Sequence, residues 1–539
     1  MNRRGCVLIV DDDEDWCEEL TEILQREGFQ ATSAPTIAKA LELLDDAIYH
    51  VLVVDIRMNE ADQANEDGIN LLKELDSRGL SEATKVIMLS AYGTKERTRT
   101  ALKNHQVADF LFKEEFKKPM FLESVENVFA EDVNVNLELD IHWQKGSSLE
   151  QAIQSLEIEG ARVLRGTALY TLVATELEDL LCRLFYQAES ILIRPLPVGQ
   201  SGTGVLRIQP FYADGGAGQE VIVKFGDFRK VEQEYRNFKK YIQPFVGGGR
   251  HTMILDLRYT SHLAGLNYKL LGTANDALVD FREFYRHSDV PQIKEAIDQI
   301  FHETCSAWYG NRGNLQPLNL TENYQHLLGY TPQMLEKVLS EELHSVQGRN
   351  RLTFRNLTSH HTFTNPVLEM DGLSFICPTY ICTTHGDCNP HNLLIDDTGH
   401  VWLIDFQETG QSHILRDVAM LDSALRFQLL RAEEATLDER LQMEAVLTNT
   451  EYFNHMEQLP LTLPFENKAL AKVYAIIVHL RKLAHRLVEQ NPNDNTNEYH
   501  IALFYTALNT LLFSSLAEVQ REHALLSASL LVDQLERDR

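Results

Sequence analysis

The run THGDCNPHNLLIDDTGHVWLIDF, in the C-terminal half of the chain, contains Asp387, Asn392 and Asp405. Residues 393–395 and 401–404 are short apolar segments on either side of a turn rich in Asp, Thr and Gly, a pattern that predicts a β-hairpin. Such a hairpin would bring Asp405 back beside Asn392. Phosphoryl transfer needs a carboxylate that orients the attacking hydroxyl and oxygen ligands that hold Mg²⁺ on the nucleotide phosphates. This run supplies both kinds of residue, so we expect phosphoryl-transfer chemistry here.

The same run resembles the catalytic core of the aminoglycoside/choline-kinase-like phosphotransferases, which are distant relatives of protein kinases. The resemblance implies a bilobal, protein-kinase-like α+β domain with ATP as the phosphoryl donor. It implies that Asp387 orients the acceptor hydroxyl and that Asn392 and Asp405 hold Mg²⁺. Asp417, in RDVAML, matches an aspartate that braces the catalytic loop in such enzymes.

A glycine-rich turn lies upstream, in ILIRPLPVGQSGTGVLRIQPF. Gly199, Gly202 and Gly204 would let backbone N–H groups approach phosphates closely. The β-branched segment VIVKF then predicts a strand that carries Lys224. In the kinase arrangement such a lysine pairs with the nucleotide phosphates and with a glutamate of the next helix.

The helix KVEQEYRNFKKYI follows directly and offers Glu232 and Glu234. We favour Glu234 as the partner of Lys224, because it shares a helix face with Phe238 and Tyr241 and therefore points partly inward.

The N-terminal part of the chain carries an independent pattern. Four short apolar runs, Cys6–Val10, 51–54, 86–89 and 110–112, alternate with amphipathic helices, which predicts an α/β fold with a doubly wound parallel sheet. Ligands of such sheets collect at the carboxyl ends of the strands. The polar residues directly after these runs are Asp11, Asp12, Asp55, Ser90 and Lys113. Crowded carboxylates suit a divalent cation, and the lysine and serine can bind an anion.

Residues 4–130 closely resemble response-regulator receiver domains, which have a flavodoxin-like fold. The resemblance implies that Asp55 accepts a phosphoryl group and that Mg²⁺ is held by Asp11, Asp12 and Asp55. It also implies the residues of the phosphorylation switch, which are Ser90, Lys113 and Phe110.

Two departures from the receiver pattern flank the pocket. The loop NEADQANED after Met58 is longer than usual, and Glu114 follows Lys113 where a proline is typical. Both bear on phosphate lifetime and partner docking.

Composition limits the classes of function. The formal net charge of −29 opposes binding to nucleic acid or to an anionic membrane, and we find no helix-turn-helix pattern. The 7 cysteines are scattered without a CxxC pair, as expected for reduced thiols in a cytoplasmic protein. No apolar run approaches the ~20 residues of a membrane span.

These signals predict four segments. They are a receiver domain (1–131), a linker with signalling helices (132–186), a kinase-like N-lobe with a glycine-rich loop (187–273) and a kinase-like C-lobe with the catalytic and metal loops (274–539). The helix predicted at TLVATELEDLLCRLF has two interpretations that the sequence does not separate. It either joins the receiver to the output as a signalling helix, or it is a packing element of the output domain.

The sequence therefore predicts a two-component response regulator that a sensor histidine kinase or phosphotransfer protein phosphorylates on Asp55. Its output would be an ATP-dependent phosphotransferase with an unidentified acceptor. The alternative is a signalling scaffold whose kinase-like domain is catalytically inactive. A transcriptional regulator is a third class, which the acidic charge opposes.

Overall fold

The computed structural model describes residues 4–59, 65, 67–90, 107–154, 156–195, 202–213, 215–245, 251–271, 278–456, 458–459, 466–492 and 495–537. The chain forms two compact units. The first comprises Met1–Tyr235 with Met253–Leu270, and the second Arg236–Thr252 with Leu271–Arg539. No helix in these described stretches combines the length and apolar content needed to cross a membrane.

The first unit begins with a five-stranded sheet in the order β2-β1-β3-β4-β5, in which all pairs are parallel. Its elements are β1 Cys6–Val10, α1 Glu14–Arg26, β2 Gln30–Ala34, α2 Ile37–Asp46, β3 Val51–Asp55, α3 Asp67–Arg78, β4 Lys85–Ser90, β5 Val107–Phe112 and α4 Lys118–Val128. This is the predicted flavodoxin-like arrangement.

The apolar character of the central strands follows from burial on both faces. In β1, Leu8 and Val10 pack into a core on one side of the sheet, while Val7 and Ile9 pack into a core on the other. Strand β2 was not predicted. It has the sequence QATSA and lies at the edge of the sheet, where its solvent-facing positions need no apolar side chains.

A second, six-stranded sheet follows, in the order β12-β13-β11-β10-β9-β6, and all of it except the first two residues of β12 and the last residue of β13 belongs to the same unit. Its elements and those that lead into it are β6 Asp140–Trp143, α5 Leu149–Ile153, β7 Glu157–Ile158, β8 Ala161–Arg162, α6 Ala168–Leu184, β9 Ser190–Pro195, β10 Gly204–Phe211, β11 Val221–Asp227, α7 Phe228–Asn237, β12 His251–Tyr259 and β13 Leu263–Leu271. Strands β9, β10, β11 and β13 pair antiparallel, and β6 adds a parallel edge.

Helix α6 packs against this second sheet. Val173, Leu177 and Leu180 of the helix share one core with Ile193 and Leu206 of the sheet. Strand β6 is itself part of the sheet. The segment 132–186 thus packs with the six-stranded sheet, and its role between a receiver and an output stays a prediction.

The second unit contains short strands and most of the helices. Its elements are β14 Val279–Asp280, α8 Phe281–His287, α9 Val290–Asp298, α10 Ser306–Gly310, β15 Gln316–Asn319, α11 Leu320–Leu328, α12 Pro332–Glu341, β16 Val346–Gln347, β17 Arg351–Phe354, β18 Phe363–Thr364, α13 Pro366–Glu369, β19 Ile376–Thr379, β20 Ile381–Thr384, β21 Leu393–Ile395, β22 Val401–Leu403, β23 Gly410–His413, α14 Arg416–Ser423, α15 Leu437–Thr448, α16 Phe453–Met456, α17 Lys468–Val488, α18 Asn497–Thr510 and α19 Glu518–Arg537. The predicted hairpin is present as β21 and β22, in the register Leu393↔Leu403.

The helices of the second unit enclose a buried ionic network. Arg426 lies 2.5 Å from Asp422 and 2.8 Å from Glu444, and all three side chains are fully buried. Glu444 also lies 2.9 Å from His523. Such pairing offsets the large cost of removing charges from water.

Candidate functional sites

The first candidate site lies at the carboxyl edge of the parallel sheet. Asp11, Asp12 and Asp55 offer carboxylate oxygens that all lie within 4.8 Å of one another. Lys113 Nζ lies 2.7 Å from Asp11 Oδ2 and 2.7 Å from Asp55 Oδ2. Ser90, at the end of β4, is buried. The five polar residues predicted to follow the strands thus lie at the predicted edge.

The electrostatics of this pocket fit a cation and an anion together. Burial raises the pKa of Asp11 to about 6 and raises the pKa of Asp55, because the ionised carboxylates lose hydration. Burial acts to lower the pKa of Lys113, but its hydrogen bonds to Asp11 and Asp55 outweigh this effect and raise it. A divalent cation would relieve the repulsion among the carboxylates, and oxygen ligands suit Mg²⁺.

Phe110, the aromatic residue of the predicted switch, lies on β5 and is half-buried. Its ring centroid lies 5.1 Å from that of Phe112. The part of the long loop after Asn59 lies largely outside the described residues, so its effect on the pocket stays a prediction.

The second candidate site is a buried ion pair between a strand of the six-stranded sheet and the helix that follows it. Lys224 on β11 and Glu234 on α7 lie 2.6 Å apart, with side chains that are 3% and 0% exposed. Tyr268 on β13 donates a hydrogen bond to Glu234. Of the two glutamates considered, the structure places Glu234 against Lys224. The hydroxyl of Tyr268 was not anticipated, since its residue lies on a strand far along the chain.

The predicted glycine turn is described only in part. Gly199 lies outside the described residues. Gly202 adopts a φ of 72° and its carbonyl accepts a hydrogen bond from the N–H of Glu157, at 3.0 Å. Gly204 lies within β10, where the ring of Phe225 occupies the space that a Cβ would need. Close packing against Phe225 is therefore sufficient to explain why residue 204 is a glycine.

The third candidate site is the loop that precedes the β21–β22 hairpin. Asn392 Nδ2 donates to Asp387 Oδ2 at 2.9 Å and to the Asp387 carbonyl at 3.0 Å. The N–H of Ile404 donates to the Asn392 carbonyl at 3.1 Å, so Asp405 follows directly after a residue bonded to Asn392. The hairpin thus returns Asp405 towards Asn392 as its sequence predicted.

Asp405 itself has a strained backbone. Its φ is 67°, in the left-handed region that non-glycine residues rarely adopt. Such conformations cost about 1–3 kcal/mol and are concentrated at functional sites. On the other side of Asp405, Phe406 and Gln407 accept hydrogen bonds from Asn237 Nδ2 through their carbonyls.

Asp417 holds the backbone of the loop that contains Asp387 in place. Its carboxylate accepts hydrogen bonds from the N–H of His385 at 2.7 Å and from the N–H of Gly386 at 2.9 Å. Tyr309 donates its hydroxyl to the same carboxylate at 2.8 Å. Gly386 has a φ of 86°, and a Cβ there would collide with the carbonyl of Glu408. The bracing contact predicted for Asp417 is therefore present.

The loop also fits a cation. Burial raises the pKa of Asp387, and the charge of Asp405 raises it further. Two carboxylates that disfavour joint ionisation are a common feature of divalent-cation sites, where the metal removes the penalty. Because Asn392 Nδ2 is directed at Asp387, its Oδ1 is the atom suited to bind a cation. Asp405 would supply the second oxygen ligand.

Together, the parallel sheet and its acidic pocket define the N-terminal domain as a response-regulator receiver domain. The sequence profile of the response regulator receiver domain matches residues 7–126. A receiver domain binds Mg²⁺ at such a pocket, which Asp11, Asp12 and Asp55 form here.

The profile described as "Ternary complex associated domain 9" matches residues 188–365 and 355–512, more than half of the chain. The chain belongs to this Ternary complex associated domain 9 family.

Curated relatives match over short segments. The transcriptional regulatory protein ZraR of Escherichia coli (strain K12) is 33% identical over 107 residues, 20% of this chain and 22% of that protein. The transcriptional regulatory protein CpxR of Klebsiella pneumoniae is 38% identical over 89 residues, 16% of this chain and 34% of that protein. The chain thus spans only about a fifth to a third of the length of these relatives.

The solved structures of two receiver domains also match only a segment of this chain. A CheY-like receiver domain protein from Methanospirillum hungatei is 26% identical, with a TM-score of 0.19, over 22% of this chain and 90% of that one. The receiver domain of the Francisella response regulator 1452 is 28% identical, with a TM-score of 0.21, over 23% of this chain and 97% of that one.

Proposed function

We propose that this protein is a two-component response regulator whose output domain is an ATP-dependent phosphotransferase. In this proposal, a sensor histidine kinase or a phosphotransfer protein phosphorylates Asp55. The change in the receiver then alters phosphoryl transfer by a bilobal, protein-kinase-like output domain of the aminoglycoside-phosphotransferase type. The acceptor is a hydroxyl compound or side chain.

The observation that carries the proposal is the loop that holds Asp387. Its carboxylate is fixed by Asn392, its backbone is braced through Asp417, and Asp405 follows in a strained conformation. Phosphoryl transfer depends mainly on positioning and on electrostatic stabilisation of the transferred group. In this site Asp387 would accept the hydrogen bond of the acceptor hydroxyl, while Asn392 and Asp405 would hold Mg²⁺. The metal would neutralise charge on the nucleotide phosphates.

The buried pair of Lys224 and Glu234 supports the same proposal. A lysine ammonium held by a buried carboxylate is pre-oriented, so it can contact nucleotide phosphates without first losing side-chain entropy. Gly202, and Gly199 in the part of the turn that is not described, would supply backbone N–H groups to the phosphates. These roles are inferred from the resemblance and from the local geometry.

The proposal is tested by Mg²⁺-dependent turnover of radiolabelled ATP, with and without beryllofluoride as a mimic of phosphorylated Asp55. Water can replace a missing acceptor slowly, so we expect measurable hydrolysis. Asp405→Ala should abolish hydrolysis while acetyl phosphate still labels Asp55. Asp397→Ala, a substitution in the exposed turn of the same hairpin, is the matched control and should leave hydrolysis unchanged. Full activity of Asp405→Ala would refute the assignment.

A signalling scaffold is the second candidate, and the description of the family as ternary complex associated favours it. In that case the domain would bind nucleotide or a partner without turnover, phosphorylation of Asp55 would switch the docking, and partner capture would survive Asp387→Asn. Absence of hydrolysis in both beryllofluoride states, with nucleotide affinity retained, would favour the scaffold over the enzyme.

A further inference from the structure

Three strands of the receiver connect its phosphorylation pocket to the opposite edge of the sheet. Strands β1, β3 and β4 lead at their carboxyl ends into Asp11, Asp55 and Ser90. Residues at or just before their amino ends are Cys6, His50 and Ala83. A five-residue strand spans about 17 Å, so the two sets of residues lie at opposite edges of the domain.

A hydrogen-bonded clamp joins this amino edge to helix α6. His50 Nε2 lies 2.8 Å from Asp179 Oδ1, and Asp179 Oδ2 accepts a hydrogen bond from Arg183 Nε at 2.7 Å. Arg183 Nη1 in turn donates to the carbonyl of Ala83 at 2.7 Å. The side chains of His50, Asp179 and Arg183 are all buried. The N–H of Cys6 donates to His50 Nδ1 at 3.0 Å, so the proton of a neutral His50 is on Nε2, directed at Asp179.

Helix α6 is also tied to the six-stranded sheet. Glu176, fully buried, accepts hydrogen bonds from Thr260 Oγ1 at 2.6 Å and from the N–H of Leu263 at 3.2 Å. It also accepts from the N–H of His262 at 2.9 Å and lies 2.7 Å from His262 Nδ1. One helix thus holds both sheets through two buried carboxylates, which limits rigid-body motion of the receiver against the second sheet.

Helix α3 forms a second connection, which starts at the phosphorylation site. At its beginning, Gly68 packs so tightly on Asp55 that a Cβ would lie 2.0 Å from the Asp55 carbonyl oxygen. After its end, Gly79 packs against the ring of Phe228, and a Cβ there would lie 2.5 Å from Phe228 Cε2. Phe228 is the first residue of α7, the helix that carries Glu234. Two glycine contacts therefore link the backbone of Asp55 to the helix that holds the partner of Lys224.

We propose that helix α3 transmits the state of Asp55 to the Lys224–Glu234 pair by pressing on Phe228, while the clamp of His50, Asp179 and Arg183 holds the rest of the receiver in place. The clamp matters because, in a receiver free to move as a whole, that movement would absorb a small displacement of α3 before it reached Phe228. This inference rests on the proposed control of the output domain by Asp55, and it names the surface through which that control acts.

The test measures amide hydrogen exchange of residues 228–237 in the full-length protein, with and without Mg²⁺ and beryllofluoride. The response of the wild type should correspond to about a two- to thirtyfold change in exchange rate, the usual size of such coupling. Phe228→Ala removes the contact with Gly79 and should abolish the response. Leu255→Ala removes an exposed apolar side chain from β12 of the same sheet and should retain it.

A second variant tests the clamp without disturbing the receiver core. In His50→Asn, the amide oxygen can still accept the N–H of Cys6, but the donor to Asp179 is lost. We expect this variant to bind beryllofluoride as the wild type does and to show a reduced response at 228–237. Asp55→Asn should show no response.

The inference fails if beryllofluoride leaves residues 228–237 unchanged in the wild type, or if either Phe228→Ala or His50→Asn keeps the full response. These outcomes are distinguishable from failure of the enzymatic proposal. An exchange response that Phe228→Ala removes, in a protein without ATP turnover, supports the coupling and refutes the enzyme. Turnover that responds to beryllofluoride equally in the wild type and both variants supports the enzyme and refutes the coupling.

Discussion

Lys224 Nζ lies 2.6 Å from Glu234 Oε2, and neither side chain has appreciable contact with solvent. A buried ion pair is a poor source of stability, because the cost of desolvation offsets most of the attraction. Its presence between strand β11 and helix α7 is better explained by a need for an oriented ammonium group. The Lys224–Glu234 pair is therefore the most direct place to test nucleotide binding.

The double variant Lys224→Met/Glu234→Gln should bind a non-hydrolysable ATP analogue, in the presence of Mg²⁺, about ten- to a hundredfold more weakly, the value of one charge-assisted contact. Changing both residues avoids leaving a buried unpaired charge. Calorimetric titration provides the measurement, and Glu232→Gln on the same helix is the control. Unchanged affinity of the double variant would show that Lys224 does not contact the nucleotide.

Asp417→Asn should lower kcat by about tenfold or more while the nucleotide dissociation constant stays the same. An amide can accept through one oxygen only, so either His385 or Gly386 loses its bond and the loop with Asp387 shifts. Steady-state kinetics and titration measured together separate positioning from general destabilisation. A parallel loss of nucleotide affinity would point to a disturbed fold instead.

Mg²⁺ should change the fluorescence of Trp16, because Lys113 Nζ lies 5.4 Å from the centre of its ring and bonds to Asp11 and Asp55. Cation binding would draw these carboxylates away from the lysine. Asp12→Ala should weaken the apparent Mg²⁺ affinity by about tenfold or more, and Asp15→Ala, at the exposed start of α1, should not. An identical titration in Trp16→Phe would show that another tryptophan gives the signal.

The contact between His262 and Glu176 should make stability depend on pH. The hydrogen bond to Glu176 raises the pKa of His262 above its usual 6.5, although burial opposes this. Because the folded pKa is raised, the stabilisation is complete below pH 6.5 and is lost as pH rises through the folded value. Urea unfolding should therefore show a fall in stability on the order of 1 kcal/mol across this range. The same slope in His262→Gln would assign it to other groups.

Glu444→Gln should destabilise the second unit by about 3–5 kcal/mol, since it leaves Arg426 with reduced compensation in a fully buried site. Burial acts to raise the pKa of Glu444, but the charge of Arg426 outweighs it and the pKa falls to about 2. Glu433→Gln, at an exposed position, is the control. Thermal unfolding followed by circular dichroism measures the difference, and equal midpoints for the two variants would contradict the role of the network.

Local patterns in the sequence predicted much of the three candidate sites. The acidic pocket could be found because apolar strands of a parallel sheet end in polar residues at one edge. The return of Asp405 towards Asn392 could be found because a short hairpin is determined by its turn and by its apolar flanks. The choice of Glu234 over Glu232 used helical periodicity. In each case the decisive residues lie within one or two adjacent elements, or follow from a regular topology.

Other features of the fold could not be predicted from patterns within a short stretch of sequence. Strand β2 was missed because an edge strand lacks the continuous apolar pattern of the central strands. The addition of β6 to the second sheet depends on its pairing with β9, and the hydrogen bond from Tyr268 to Glu234 depends on where β13 lies relative to α7. Neither can be predicted from the sequence of one segment alone.

By itself, the sequence determined a receiver domain with its acidic pocket and a loop with the residue types of phosphoryl transfer, because periodicity and turn chemistry act over short distances. Only the tertiary structure decided that helix α6 packs on the six-stranded sheet and that its Asp179 meets His50, 129 residues away. A histidine before one strand and an aspartate within one helix are ordinary in isolation. Their partnership arises because α6 packs its apolar residues against the six-stranded sheet while its polar groups meet the amino edge of the receiver sheet, where buried polar groups must pair.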